Sequence, residues 1–180
     1  MSYTTVFATP KPASIFGVVS DAVTGELLAG AAISLAERGD TAVSDFNGAY
    51  RLFALPDGTY TLTASLPAAG DRYGAATATV IVSAASGASI VNAALPPTAV
   101  TGAIQGTSGG AATNLPLALV RLQGSDDQAY TDANGRYLLD AVEPGTRTLE
   151  VSARGFVTQT ATAAIVRGAT SNVNVTLNPS

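Results

Sequence analysis

Residues 45–50 read DFNGAY, and residues 132–137 repeat the pattern as DANGRY. Each copy is followed by an apolar run and then by a Gly-Thr pair, at Gly58 and at Gly145, that opens an alternating segment. An Asp-x-Asn-Gly segment predicts a turn, because Asn and Gly tolerate positive φ and the Asp carboxylate accepts hydrogen bonds from nearby backbone N–H groups. The repeat therefore predicts the same order of strands and turns twice.

The composition favours many short strands over long helices. Of the 180 residues, 47% are hydrophobic and 12% are charged, and 18 glycines and 9 prolines interrupt the chain often. Alanine favours helices, but here it alternates with Thr, Val and Ser and rarely follows a 3.6-residue period. Tyr60, Leu62 and Ala64, for example, share one face of a segment whose other face is threonine, which is typical of a half-buried antiparallel strand.

The repeat also predicts two small domains, each with about seven strands, which is enough for a two-sheet sandwich. We expect an N-terminal arm over residues 1–14 and a first β-sandwich over residues 15–96. A short linker over residues 97–99 then leads to a second β-sandwich over residues 100–180.

Further motifs recur in a fixed order around the turns. Residues 17–66 contain Gly-x-Val, Thr-Gly-x-x-Leu-Ala-Gly-Ala, Ser-Asp-x-Asn-Gly-x-Tyr-x-Leu and Leu-Pro-x-Gly-Thr-Tyr-Thr-Leu, and residues 102–156 carry the order less fully. This order resembles the carboxypeptidase regulatory-like domain. The resemblance implies an all-β fold of two tandem seven-stranded antiparallel β-sandwiches of the transthyretin-like (prealbumin-like) type. It implies no single function, because such domains serve as structural, adhesive or spacer modules in unrelated proteins.

The second copy departs from this pattern in two places. Arg147 stands where the first copy has Tyr60, so that core position is altered or exposed at an edge. Residues 106–114 replace the Thr-Gly-x-x-Leu-Ala-Gly turn with a glycine-rich loop, which leaves the shape of that end open.

The charge pattern argues against nucleic acid as a partner. The net charge is −4, Lys11 is the only lysine, and no basic cluster exists to neutralise phosphates. No window has the apolar length needed for membrane insertion. Residues 1–7 have neither the basic nor the apolar region of a secretory signal. We expect synthesis in the cytoplasm and leave the final location open, with an extracellular or particle-associated assembly as one outcome.

Catalytic chemistry is disfavoured by what the chain lacks. It has no His and no Cys, which excludes Ser-His-Asp and Cys-His nucleophilic sites and a zinc peptidase site built on His ligands. Carboxylates remain as acid–base candidates, but they fall in predicted turns, where solvated carboxylates are the ordinary finding. We therefore expect no catalytic residue, no cofactor and no enzymatic activity. The carboxylates concerned are Asp40, Asp45, Asp126, Asp127, Asp132 and Glu143.

The repeated turns also look like the start of a calcium-binding loop. Asp45 and Asn47 in the first copy, and Asp132 and Asn134 in the second, are weak candidates for oxygen ligands. The closing Glu of such a loop is absent from both copies, and turn formation accounts for the same residues without a metal.

Carbohydrate binding is a disfavoured alternative. Sugar-binding platforms usually expose Trp or Tyr faces, and this chain has no Trp. Three of its tyrosines are predicted core residues, and the other three are scattered along the sequence. The predicted core tyrosines are Tyr50, Tyr60 and Tyr137, and the scattered ones are Tyr3, Tyr73 and Tyr130.

The remaining hypothesis is a non-enzymatic structural or interaction module whose partner is protein. Its strands hold little Lys or Glu to guard their edges, and the arm carries strand-forming residues at Tyr3, Thr5, Val6 and Phe7. We expect self-association through sheet edges and this arm, in a filament, a surface layer or a phage-like or contractile-injection particle. The alternatives are a carbohydrate-binding or adhesion module and an accessory domain of a separate hydrolase.

Overall fold

A computed structural model describes residues 13–180, which form two compact units. Unit 1 contains the described part of Met1–Pro67 together with Ala76–Ala94, and unit 2 contains Ala68–Ala75 together with Leu95–Ser180. Each unit is a sandwich of two β-sheets. The prediction of an all-β fold with two tandem sandwiches is therefore confirmed, while the domain limits drawn from the sequence stay a prediction.

Unit 1 contains two four-stranded sheets. Its strands are β1 (Ala13–Asp21), β2 (Ala32–Leu35), β3 (Thr41–Val43), β4 (Ala49–Phe53), β5 (Gly58–Ser65), β6 (Ala76–Val82), β7 (Ser89–Ile90) and β8 (Ala93–Leu95). One sheet has the order β4-β1-β7, with β8 also paired to β1, and the other has the order β3-β2-β5-β6. Because β7 and β8 are two parts of one interrupted edge strand, the sandwich has the seven strands that were predicted.

Unit 2 repeats this plan with one additional strand, β10. Its strands are β9 (Ala99–Ser108), β10 (Ala111–Asn114), β11 (Leu119–Leu122), β12 (Gln128–Tyr130), β13 (Arg136–Leu139), β14 (Gly145–Ser152), β15 (Gln159–Ile165), β16 (Thr170–Asn172) and β17 (Val175–Leu177). One sheet has the order β10-β9-β13, with β16 and β17 also paired to β9, and the other has the order β12-β11-β14-β15.

Alternation along the strands builds each core. In β5 the side chains of Tyr60, Leu62 and Ala64 are buried while the threonines between them are not, as the sequence predicted. Leu149 and Val151 take the corresponding inward positions in β14. Burial of such apolar side chains, at about 25 cal/mol per Å², is the main term that stabilises both sandwiches.

The last strand of each sandwich runs parallel to the first, which differs from the all-antiparallel prediction. β7 pairs with β1 in parallel, and β16 and β17 pair in parallel with β9. Parallel neighbours need a crossover connection rather than a tight hairpin. The chain supplies one, because the preceding strand, β6 or β15, lies in the other sheet.

The glycine-rich loop of residues 106–114 forms a hairpin in unit 2. β9 continues to Ser108 and turns at Gly109 and Gly110, where φ is 63° and 86°, into β10. Two successive positive φ values match the twist that hairpin strands require, and glycine adopts them without steric cost. The sequence had left this region as a loop.

From Ala13 onward, helical structure is limited to short 3-10 turns over Pro67–Arg72. No helix within residues 13–180 combines the length and the hydrophobicity needed to span a bilayer.

Candidate interaction surfaces

The two Asp-x-Asn-Gly segments form identical turns. Asp45 accepts through Oδ1 from the backbone N–H groups of Asn47 and Ala49, each at 2.9 Å. Asp132 accepts in the same way from Asn134 at 2.8 Å and from Arg136 at 2.9 Å. One oxygen of each carboxylate is therefore engaged in closing the turn.

Three of the other carboxylate candidates form ion pairs with arginines. Asp40 pairs with Arg38, with 2.7 Å between Oδ2 and Nε. Asp127 and Glu143 both contact Arg72, at 3.4 and 3.0 Å. In the described part of the chain, no group of three or more His, Cys, Asp or Glu side chains could hold a metal ion.

A buried tyrosine interrupts the last strand of unit 1. Tyr50 is 2% exposed, and its hydroxyl donates to the carbonyl of Val91 at 2.6 Å, between β7 and β8. The side chain of Asn92 accepts from the N–H of Val18 at 3.1 Å. A Cβ at Gly17 would lie 1.8 Å from the Val91 carbonyl oxygen, so only glycine permits this approach. Burial raises the pKa of Tyr50 to about 12.

Unit 2 contains the same arrangement. Tyr137 donates to the carbonyl of Val173 at 2.8 Å, and the N–H of Ala103 donates to Asn174 Oδ1 at 2.8 Å. A Cβ at Gly102 would lie 1.9 Å from the Val173 oxygen. Burial again raises the tyrosine pKa to about 12. Sequence reasoning predicted the buried tyrosines but missed the asparagines, although a Val-Asn pair recurs in both copies.

A buried hydroxyl is likewise shared by the two units. Ser44 donates to the carbonyl of Leu28 at 2.7 Å and accepts from the N–H of Ala31 at 2.9 Å. Thr131 has the same role in unit 2, where it accepts from the N–H of Ala118 at 2.8 Å. Each hydroxyl satisfies two backbone groups that would otherwise be buried without a partner.

β6 and β15 are open edges of their sheets. Each pairs on one side only within the described residues, β6 with β5 and β15 with β14. Each is seven residues long and contains no charged residue, Gly or Pro. Natural edge strands are usually short, charged, bulged or interrupted by proline, which prevents another strand from adding to them. These two edges lack all four protections, and only near their ends does a serine hydroxyl bond to an outward carbonyl, Ser89 to Ile81 at 2.8 Å and Ser171 to Ala164 at 2.9 Å among the described residues.

The hydrogen-bond pattern within each sheet shows which backbone groups of the edge strand point outward. In an antiparallel strand, the N–H and C=O of a residue point to the same side. The carbonyl of Thr61 in β5 accepts from the chain just after β2, so its partner in β6, Thr79, directs both groups away from β5. Thr148 in β14 accepts from the chain just after β11, and its partner Thr162 is oriented in the same way.

The outer faces of the two sheets built on β1 and β9 differ in character. In unit 1 this face carries Phe16 beside Ile90 in the strand register, with Phe53 farther along β4. Ile90 is 67% exposed and Phe53 is 55% exposed. The corresponding residues of unit 2 are polar: Thr101, Asn172 and Asp140.

Ala68–Ala75 covers one end of unit 2. Tyr73 is 8% exposed there and forms an isolated β-bridge with Pro97. Nη1 of Arg72 donates to the carbonyl of Ala141 at 2.6 Å. A tyrosine that the sequence left unassigned is therefore a packed residue of unit 2.

Thr98 is fully buried at the same end. Its Oγ1 donates to the carbonyl of Asp71 at 2.8 Å and accepts from the N–H of Gly168 at 2.8 Å. Its own N–H donates to the carbonyl of Arg72 at 2.8 Å. Residues that composition assigned to a linker thus take part in the packing of unit 2.

The corresponding end of unit 1 contains a cavity of about 200 Å³. Ala54 lines it and corresponds to Ala141, since both residues lie between the tyrosine-bearing strand and the Gly-Thr pair and both have positive φ, 56° and 49°. Other lining residues come from the start of β1, the end of β6 and the loop that follows: Ser14, Leu55, Val82, Ala84 and Ala88.

The repeated turns, tyrosines and glycines agree with a comparison to known families. The sequence model of the carboxypeptidase regulatory-like domain matches residues 14–96 and again residues 99–178. The chain belongs to the carboxypeptidase regulatory-like domain family. The resemblance inferred from the motifs is thereby confirmed in both copies. A search of curated protein sequences finds no match to this regulatory-like tandem.

Several solved structures are similar to the regulatory-like tandem at low identity. The Bacillus anthracis TIE protein is 17% identical with a TM-score of 0.44, over 94% of this chain and 34% of that one, so this chain spans about a third of its length. The minor pilin GBS52 of Streptococcus agalactiae is 15% identical, with a TM-score of 0.37 and coverage of 92% and 95%. The shaft pilin SpaA from Lactobacillus rhamnosus GG is 11% identical, with a TM-score of 0.40 and coverage of 92% and 96%. These values identify no function.

The interaction residues predicted in the arm of the regulatory-like chain lie outside the described residues. They are Tyr3, Thr5, Val6 and Phe7. Within the described part, Tyr130 remains an exposed tyrosine, at 63%.

Proposed function

We propose that this chain is a non-enzymatic structural subunit that self-associates through the open edges of its two sandwiches. The added strand is the arm segment that contains Tyr3, Thr5, Val6 and Phe7. The setting is a repeating assembly such as a filament, a surface layer or a phage-like or contractile-injection particle. The partner is protein, and in the first instance another copy of this chain.

The observation that carries the proposal is the pair of uncharged edges, β6 and β15. Each presents outward N–H and C=O groups, at Thr79 and at Thr162, to which a further strand can bond. A strand that pairs with such an edge gains a row of backbone hydrogen bonds, and no charged side chain has to be desolvated first. Two such edges on one chain allow each copy to contact more than one neighbour.

Proline substitution at the edges tests the proposal. Thr79→Pro and Thr162→Pro remove outward N–H groups that make no ladder bond, so both sandwiches should stay folded while strand addition is blocked. Val80→Pro is the matched control, because the backbone groups of Val80 point toward β5 and its loss of a ladder bond should unfold unit 1.

The measurement is light scattering coupled to size exclusion, with circular dichroism to verify folding. We expect the full chain to form oligomers whose population rises with concentration, and the double proline variant to remain a folded monomer. A full chain that is monomeric at high concentration, or a double variant that assembles as the parent does, would refute self-association through these edges.

A further inference from the structure

The cavity of unit 1 lies where unit 2 carries its covering segment. In unit 2, Arg72 bonds to Ala141, and the next residue, Tyr73, is buried. In unit 1, the counterpart of Ala141 is Ala54, which lines an open cavity. The repeat thus shows one way to close this end of such a sandwich, which is a covering segment of short 3-10 turns that includes an aromatic residue.

We infer that the cavity of unit 1 receives the phenyl ring of Phe7 from a second copy of this chain. The inference rests on the proposed function, because it assigns the arm of one copy to a named site on another. It adds a side-chain pocket to the backbone pairing, and so it makes the edge of unit 1 specific for one sequence.

The size and lining of the cavity suit a phenyl ring. Its volume is about 200 Å³, and an apolar cavity of about 150 Å³ is known to bind benzene. Leu55, Val82 and Ala84 contribute carbon surface, and the hydroxyl of Ser14 already accepts from the N–H of Leu55 at 2.9 Å. Phe7 brings no polar group that would need a partner there, whereas Tyr3 would bring a hydroxyl.

The cavity also continues the open edge. Val82 is the last residue of β6, and Ala84 follows it, so both the edge and the cavity meet at one end of the strand. An arm that adds in parallel, with residues 2–5 beside residues 77–80, brings Phe7 to the cavity mouth just past Ile81, whose carbonyl already accepts from Ser89 Oγ at 2.8 Å. One short segment can therefore use both features at once.

The sequence before Ala13 favours a second copy over the same chain. β1 begins at Ala13, and Ser14 already lines the cavity, so Phe7 of the same chain would have to reverse direction within a few residues. Pro10 and Pro12 fix their own φ and restrict Thr9 and Lys11 to extended conformations. These restrictions make a reversal of the chain between Phe7 and Ala13 costly, which is why a second copy is the proposed occupant.

Disulfide trapping gives a direct test, because the natural chain has no cysteine. Full-length Phe7→Cys and Ala88→Cys variants are mixed under mild oxidation and analysed on non-reducing gels. We expect a disulfide-linked heterodimer, identified by mass spectrometry of the joined peptides. Phe46→Cys replaces an aromatic residue that is 84% exposed in a turn and serves as the matched control, from which no comparable product is expected.

Self-association of cysteine-free variants provides the second readout. Phe7→Ala and Ala88→Phe, which fills the cavity, should each weaken self-association by about tenfold or more in light scattering, as expected for an interface anchor. Phe46→Ala should leave it unchanged, and so should Thr170→Phe, which changes the exposed first residue of β16 at the corresponding position of unit 2.

The outcomes separate this inference from the proposed function. Assembly that Thr79→Pro and Thr162→Pro abolish, but that Phe7→Ala and Ala88→Phe leave intact, would overturn the cavity assignment and retain assembly through edges. A crosslink that forms within one chain of a Phe7→Cys, Ala88→Cys double variant, in a monomeric protein, would place the arm on its own unit and overturn the second-copy occupant. Absence of both assembly and crosslink would overturn both.

Discussion

Unit 1 and unit 2 agree in their buried polar contacts and differ in the side chains that face outward. Tyr50 and Tyr137 make the same hydrogen bond to the last strand, and Ser44 and Thr131 satisfy equivalent backbone groups. On the outer face, by contrast, Phe16 corresponds to a threonine. The residues that form buried polar contacts can change little between the two copies, because a buried polar group without a partner costs about 1–3 kcal/mol. Exposed positions carry no such penalty, so differences there are where the two copies can acquire separate roles.

The two units also differ at one end of the sandwich. One end of unit 2 is covered by Ala68–Ala75, whereas the equivalent end of unit 1 retains its cavity. The two units therefore share a core and differ at this end, which is covered in unit 2 and open in unit 1. The experiments below test how similar the two cores are, and then how much the closed end contributes.

The largest effect is expected at the two glycines of the interrupted edge. Gly17→Ala and Gly102→Ala each place a Cβ within 2 Å of a backbone carbonyl oxygen, at 1.8 and 1.9 Å, so strands must move apart. We expect each to lower the free energy of unfolding of its own unit by about 3 kcal/mol or more, measured by denaturant titration. Gly25→Ala is the control, because its Cβ meets nothing within 4 Å and only its positive φ of 76° is strained. Equal losses in all three variants would contradict this account.

High pH should weaken both units together. The pKa of Tyr50 and of Tyr137 is raised from 10 to about 12 in the folded state, because burial disfavours the phenolate. The stability that the neutral phenols supply is therefore complete below pH 10 and is lost as the pH rises from 10 to 12, on the order of 2 kcal/mol for each tyrosine. Denaturant titrations across this range measure the loss. The Tyr50→Phe, Tyr137→Phe double variant should lack it, and a parent protein with unchanged stability at pH 12 would refute the assignment.

The buried hydroxyls should be interchangeable between the units. Ser44→Ala leaves the N–H of Ala31 and the carbonyl of Leu28 without their partner, and we expect a loss of about 1.5 kcal/mol in thermal or denaturant unfolding. Ser44→Thr introduces the residue that Thr131 provides in unit 2 and should retain most of that stability. Equal losses of stability in Ser44→Ala and Ser44→Thr would contradict the claim that the hydroxyl has the same role in both units.

The smallest effect is expected at the closed end of unit 2. Arg72→Ala removes the hydrogen bond to Ala141 and the contacts to Asp127 and Glu143, which are partly solvent-exposed. We expect unit 2 to lose about 1 kcal/mol, with part of that loss suppressed at high salt. Arg121→Ala, for which no ion pair is found among the described residues, is the control. A larger change in unit 1 than in unit 2 would contradict the placement of this segment.

Local features of the fold were predictable from the sequence, and long-range ones were not. The Asp-x-Asn-Gly turns and the burial of Tyr50 and Tyr137 follow from turn chemistry and from alternation, which act within a few residues. The parallel direction of the last strand depends on a crossover between sheets. The alternation of apolar and polar residues along a strand does not reveal such a crossover. Sequence proximity also suggested that Tyr73 belongs with the first sandwich, whereas its packing partners come from residues beyond position 94.

The candidate surfaces were predictable in composition but not in position. The sequence showed that the strands carry little charge, but it did not show which strands lie at edges, because strand order is a property of the folded sheet. The cavity could not be foreseen either, since Ser14, Leu55 and Val82 come from three separate strands and loops. The arm residues remain a prediction of sequence alone.

The parallel pairing of the first and last strands has a mechanical consequence for each sandwich. When the start of β1 and the end of β8 are pulled in opposite directions, the strands slide along each other and their hydrogen bonds are loaded together. An antiparallel pair held at one end would instead open one bond at a time. β9 with β16 and β17 has the same geometry over six register positions, Thr170 to Asn172 and Val175 to Leu177. We expect high rupture forces for both sandwiches in single-molecule stretching, and opening at low force in small steps would contradict it. A chain of such modules would transmit tension without lengthening.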